Sequence, residues 1–323
     1  MDTTVMQTLL KEGAELHLAG RLADAERCYR QALEIDDSSA VAHNNLAFLL
    51  MQRREFAEAE QEYRRAIELS PAYATAYTNL GQAYLLMQRW DEAEEYLTRA
   101  TELDADAFHA YESLAKLAMV YGDSNRAVSY WEEANRIRPV RENLVNLAHC
   151  LVQQRRLDEA RDVLIRAADS DDEDARLHAL FGIIAFAQYD FGSAIRHFKR
   201  ALGIEPENTE TRHNLAMAYL KTGQSEEAVM ELRRILLLMP DHVEARNNLA
   251  VIELAAGEPD SALEHFNLIL EQAPDNTKAL YYKGVVLLQQ GKTEAARALL
   301  EKITRTTPNE YQSQAAELLS TLV

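Results

Sequence analysis

Apolar residues recur along this chain every three or four positions rather than every second one, and the whole recurrence restarts after 34 residues. In Ala74–Ala107, Leu80, Gly81 and Tyr84 share one helical face of a first segment, and Ala93, Leu97 and Ala100 share one face of a second. Between them runs Met87-Gln88-Arg89-Trp90-Asp91. Spacings of i, i+4 and i+7 mark half-buried helices, so each period predicts two helices joined by a short turn. With Ala74 as position 1, copies start at Met6, Ala40, Ala74, Phe108, Arg141, Ala175, Thr209, Val243 and Thr277.

Position 20 is alanine in all nine copies, from Ala25 to Ala296, and position 8 is always Gly or Ala, from Gly13 to Gly284. Small residues twelve apart across a turn let two antiparallel helices approach near the short end of the ~8–10 Å interaxial range. Position 24 supplies the bulky partner: Tyr29, Tyr63, Leu97, Trp131, Leu164, Phe198, Leu232, Phe266 and Leu300. Position 27 is Ala in the first six copies and Ile235, Ile269 and Ile303 in the last three. Position 32 is proline at Pro71, Pro139, Pro206, Pro240, Pro274 and Pro308.

At these residues the chain resembles the tetratricopeptide repeat (TPR) family, whose 34-residue helix–turn–helix unit carries this small, small, aromatic, Ala, Pro signature. The resemblance covers Met6 to Glu310. It implies an all-α fold, a right-handed α-solenoid or superhelix of nine TPR helix pairs in which each unit touches only its neighbours. Residues 1–5 are expected to be an N-terminal lead whose Thr3 or Thr4 caps the first helix. Residues 311–323 are expected to form a C-terminal capping helix, with Tyr311, Ala315, Leu318, Leu319 and Leu322 on its apolar stripe. A partner-binding tail is the alternative reading of that helix. The step from the fourth copy to the fifth is 33 residues, with Pro139-Val140 running into Arg141, and a local change of twist is expected there.

Composition narrows the function. The net charge of −18 repels phosphate backbones, so nucleic-acid binding is not expected. That charge is uneven: the third copy sets Arg89 and Arg99 against seven carboxylates, and the last sets six bases against three. Head-to-tail self-assembly through unlike ends is therefore an alternative function, and a homo-oligomer stays open. Cys28 and Cys150 lie more than three repeats apart, too far for a disulfide in a stacked chain. No signal-peptide pattern is read, and purely apolar runs such as Ile235–Met239 are far too short to span a bilayer. A cytoplasmic location is expected.

Candidate chemistry is sparse. No Gly-rich phosphate loop, HExxH, CxxC pair or Gly-x-Ser-x-Gly elbow occurs, and the nine histidines show no metal-ligand spacing. The acidic run Asp169, Asp171, Asp172, Glu173, Asp174 lacks the glycine and spaced glutamate of a calcium loop and suits the dipole of a helix starting at Ala175. The expectation is no catalytic residue, no metal and no cofactor in a non-enzymatic chain.

The binding signal lies on the first helix of each copy. Positions 2, 6, 9 and 13 fall opposite the packed face, and in TPR proteins the corresponding face lines the inner, concave groove. Position 6 reads Lys11, Asn45, Asn79, Ser113, Asn146, Leu180, Asn214, Asn248, Tyr282. Asparagine is a poor helix former, but its amide offers both a donor and an acceptor to a peptide backbone. Asn45, Asn79, Asn146, Asn214 and Asn248 are thus expected to hold an extended partner segment. Position 9 adds Phe48, Gln82, Lys116, His149 and Met217, and position 13 adds Gln52, Gln153, Lys221 and Gln289. Ser113 and Leu180 interrupt the asparagines and suggest two tracks, Asn45–Asn79 and Asn214–Asn248, with Asn146 between. The surface suits a protein or peptide segment rather than a small metabolite, and a regulatory tether for an enzyme is a further alternative. Some TPR co-chaperones grip a partner's terminal carboxylate with two asparagines and three bases. Here Asn248 and Lys278 match, but His213, Met217 and Tyr282 stand where the rest would be, so that clamp is not expected.

Overall fold

The computed structural model describes residues 2–168, 173–305 and 310–322, and among them lie nineteen α-helices and no strand. They fall into two compact units, Met1–Asp169 and Ser170–Val323. The first contains α1 (Asp2–Leu18), α2 (Leu22–Ile35), α3 (Ala40–Gln52), α4 (Phe56–Leu69), α5 (Ala74–Leu86), α6 (Trp90–Leu103), α7 (Phe108–Val120), α8 (Ser124–Ile137), α9 (Arg141–Gln153) and α10 (Leu157–Ala167). The second contains α11 (Ala175–Ala187), α12 (Phe191–Ile204), α13 (Thr209–Lys221), α14 (Ser225–Leu238), α15 (Val243–Ala255), α16 (Pro259–Gln272), α17 (Thr277–Gln289), α18 (Thr293–Thr304) and α19 (Glu310–Ser320). Within each unit odd and even helices pair as hairpins, and each hairpin packs on the next, which makes both units stretches of α-solenoid.

The alternation of small and bulky residues explains the pairing. All nine position-20 alanines are fully buried, and so, to within 1%, are the nine bulky residues at position 24. A Cβ added to Gly81 would lie 2.6 Å from Leu97 Cγ, and one added to Gly182 would lie 2.5 Å from Phe198 Cε1. The small residue of each first helix therefore receives the bulky residue of the second, and each such side chain contributes about 1.5–3 kcal/mol of burial. A second set of contacts pins the hairpins at positions 4 and 23. His43 meets Glu62, Arg212 meets Glu231, Tyr77 packs on Tyr96 with centroids 6.0 Å apart, and Arg246 lies 3.4 Å from His265 Nδ1.

The turn inside every hairpin puts position 15 in the left-handed region. Glycine fills it five times, but Arg54, Gln88, Arg155 and Tyr189 also sit there, with φ between 59° and 64°. In α5 the Gln88 amide donates to Leu85 O at 3.1 Å and the Arg89 amide to Tyr84 O at 2.9 Å, closing the helix end with a left-handed residue.

At the amino end α1 begins at Asp2, so Thr4 lies inside the helix rather than ahead of it. The Thr4 carbonyl accepts from Thr8 Oγ1 at 2.8 Å. Nothing between Asp2 and Gly13 breaks a helix, and the apparent lead is its first turn. At the other end Tyr311, Ala315, Leu318, Leu319 and Leu322 pack against Leu280, Leu300 and Ile303. Asp169, Asp171 and Asp172 lie outside the described residues, while Asp174 accepts from the Arg176 and Leu177 amides at the start of α11.

Candidate functional site

Position 6 of each first helix lies on the face turned away from the hairpin partner. In the Met1–Asp169 unit, Asn45 and Asn79 are half-buried and linked through a residue between them. Asn79 Nδ2 donates to Asn44 Oδ1 at 2.9 Å, and Asn44 Nδ2 donates to Asn45 Oδ1 at 3.2 Å. Asn44 itself is buried, so it relays one amide to the next across the α3–α5 interface. Farther along, Gln82 Nε2 donates to Ser113 Oγ at 3.1 Å, and that hydroxyl donates to His109 O at 2.7 Å. Ser113 interrupts the asparagines in sequence yet keeps a hydrogen-bonded step in space. Lys116 stands at the exposed edge and reaches Glu112 at 3.2 Å. Asn146 is only 8% exposed, which sets it apart from Asn45 and Asn79, and His149 Nε2 lies 3.5 Å from Gln153 Nε2.

Apolar side chains border this polar floor. Leu18 is 90% exposed, Leu86 70%, Val120 64% and Phe48 42%. Leu18, Leu22 and Phe48, together with Asn45 and Gln52, line a cavity of about 590 Å³.

The Ser170–Val323 unit is arranged differently. Leu180 is buried, and Asn214 is half-buried with no side-chain hydrogen bond to another described residue. Asn248 is fully engaged: its Oδ1 accepts from Lys278 Nζ at 2.6 Å, and its Nδ2 lies 3.0 Å from His213 Nε2 and 3.7 Å from Met217 Sδ. Burial holds the His213 imidazole below its ordinary pKa, with His242 and Lys278 acting the same way and Glu244 opposing them. Burial likewise lowers Lys278, against Glu244 and Glu310.

Tetratricopeptide repeat models match residues 37–106, 78–139, 121–181, 185–252, 227–275 and 253–322. The chain belongs to the tetratricopeptide repeat family. No curated protein matches it. Among solved structures it is similar to the crystal structure of the APC/C hetero-tetramer Cut9-Hcn1, with a TM-score of 0.56 and 22% identity over 86% of this chain and 55% of that one. It spans little more than half of that relative's length. It is also similar to pilF of Pseudomonas aeruginosa, with a TM-score of 0.58 and 24% identity over 65% of this chain and 96% of that one. Both likenesses concern the fold.

TPR units are protein-interaction modules, and that fits what this face offers: amides, hydroxyls and exposed apolar side chains. Among the described residues no three His, Cys, Asp or Glu side chains group to hold a metal ion, and no helix is long and apolar enough to cross a membrane. Sequence reasoning missed Asn44, although the Asn44-Asn45 doublet was a usable signal, since adjacent residues on a helix straddle the boundary between groove and core. It also passed over Leu18, Leu86 and Val120 at position 13. Asn248, Lys278 and His213 share a face by their repeat positions, but that both Lys278 and His213 bond to the one asparagine, across 65 residues (213 to 278), had no signature in the sequence.

Proposed function

We propose that this TPR chain is a non-catalytic scaffold that holds extended segments of a protein partner on its first-helix faces, one track in each unit. The nine repeats of Met6–Glu310 supply the tracks and α19 closes the last repeat as a cap. The observation that carries this reading is the Asn79–Asn44–Asn45 relay. Each internal donor and acceptor is used once, leaving an amide donor on Asn45 and a carbonyl acceptor on Asn79 at its ends. An extended peptide presents the complementary pair, C=O and N–H, at every residue. Gln82, Lys116 and His149 extend the same track, and Phe48 with Leu18 would seat apolar side chains of the partner. In the second unit Asn214 is the open amide and Asn248 the engaged one. A cytoplasmic setting suits this role.

The test is capture of partners by the whole chain and by the double variant Asn45→Ala/Asn79→Ala, followed by titration of a captured peptide. Each amide contributes about 0.5–1.5 kcal/mol, so the double variant should weaken binding roughly 5- to 150-fold with unchanged helicity. Equal affinity for both chains would refute the amide track.

A further inference from the structure

We propose that Lys278, Asn248 and His213 form a proton-operated latch on the first-helix face of the Ser170–Val323 unit, in which a proton on His213 frees the Asn248 amide for a partner backbone. The inference rests on the peptide-holding reading of that face and names how one of its amides is regulated.

Hydrogen-bond polarity dictates the state of each group. The Lys278 ammonium has donors only, so the atom 2.6 Å from it must be the Asn248 carbonyl oxygen. That choice turns the Asn248 NH2 toward His213, where it donates to Nε2 at 3.0 Å and to Met217 Sδ at 3.7 Å. An NH2 group cannot accept, so Nε2 carries no proton, and the ring is neutral with its hydrogen on Nδ1. Every polar atom of the Asn248 side chain is thereby committed within the protein.

A proton on Nε2 reverses this. Two donors then face each other across 3.0 Å, and flipping the amide only moves the conflict to Lys278. The three-residue row therefore accommodates one cation, not two. Glu244 stands ready for the charged ring, its Oε1 3.8 Å from His213 Nε2, so the imidazolium gains a carboxylate as it leaves Asn248. The titratable groups around His213 are Glu244, Lys278 and His242. His242 stacks on His213 with centroids 6.2 Å apart, and its Nδ1 accepts from the Ala245 amide at 3.1 Å at the start of α15.

The experiment is an NMR titration of the ¹⁵N-labelled full chain from about pH 7.5 to about pH 5, across the ordinary histidine range. At the upper end His213 should be the Nδ1–H tautomer. As pH falls, the Asn248 side-chain amide should shift in step with His213, and its solvent exchange should rise several-fold. In Lys278→Met the amide loses its fixed orientation, so the His213 midpoint should move up and the coupled Asn248 shift should vanish. In His213→Phe, Asn248 should exchange at the unlatched rate at both ends of the titration. A His213 ring protonated on Nε2 at the upper pH would overturn the proposal. So would Asn248 signals that ignore the His213 titration, or a Lys278→Met midpoint equal to the parent's. Circular dichroism reports whether each variant is folded, and if Lys278→Met is not, the tautomer of the parent chain and His213→Phe decide the matter. These readouts use the free chain, so a failed latch leaves the peptide track standing, and a failed Asn45→Ala/Asn79→Ala capture leaves the latch standing.

Discussion

Position 8 allows the packing rule to be tested with one substitution in two places of the same unit. Gly182 and Gly284 both lie in first helices, opposite the bulky residue of the second. Replacing helical glycine by alanine favours the helix by about 1 kcal/mol in either place. What differs is the space. At Gly182 the new Cβ would lie 2.5, 2.6 and 3.0 Å from three atoms of the Phe198 ring, a rigid group that is itself fully buried. At Gly284 the nearest atoms are Leu300 Cδ2 and Cγ at 3.2 and 3.3 Å, and no backbone atom is closer than 3.9 Å. A leucine end gives way by rotation, whereas a ring enclosed on all sides moves only with its helix. Overpacking of that kind costs about 1–3 kcal/mol. Gly182→Ala should therefore be destabilising by up to about 2 kcal/mol net, with the clash outweighing the propensity gain. Gly284→Ala should gain about 0.5–1 kcal/mol. Urea unfolding followed by circular dichroism gives both values, and the transition of the Ser170–Val323 unit is the one to compare. If Gly182→Ala stabilises as much as Gly284→Ala, the close approach at Phe198 is not what demands glycine there, and the account of position 8 is wrong.

Other predictions rest on other features. Gln88 holds φ at 59° without being glycine, so Gln88→Gly should stabilise the chain by about 0.5–1 kcal/mol, read as a raised thermal midpoint. Asn143 is 1% exposed and neither atom of its amide has a hydrogen-bond partner among the described residues, so Asn143→Leu should raise stability by about 1–2 kcal/mol in the same assay. His197 and His265 are lowered by burial first; His178, Arg196 and Arg200 add to this at His197, and Arg246 and Arg233 at His265 against Glu253 and Glu264. A depressed folded value means the unfolded chain binds protons first. The contribution is whole above the ordinary histidine pKa of about 6.5 and is lost as pH falls through the folded values. Urea midpoints at about pH 7.5 and about pH 5.5 should fall in acid, and less so in His197→Phe.

The sequence alone determined the helical class, the period and the identity of the packed residues, because a half-buried helix must repeat its apolar residues every 3.6 positions and a hairpin must match small to bulky. Ala93, Leu97 and Gly81 could be placed without coordinates for that reason. The left-handed turn residues were only half legible: five glycines announce the conformation, whereas Arg54, Gln88, Arg155 and Tyr189 are forced into it by helix packing on both sides. The five asparagines could be named from their spacing, but their states were not equal and spacing did not say so. Asn146 is buried, Asn214 is open, Asn45 and Asn79 are joined through Asn44, and Asn248 is held between Lys278 and His213. Those differences belong to the tertiary structure, since a hydrogen bond depends on which atoms of neighbouring repeats come within about 3 Å, and nothing local to any one repeat records that distance.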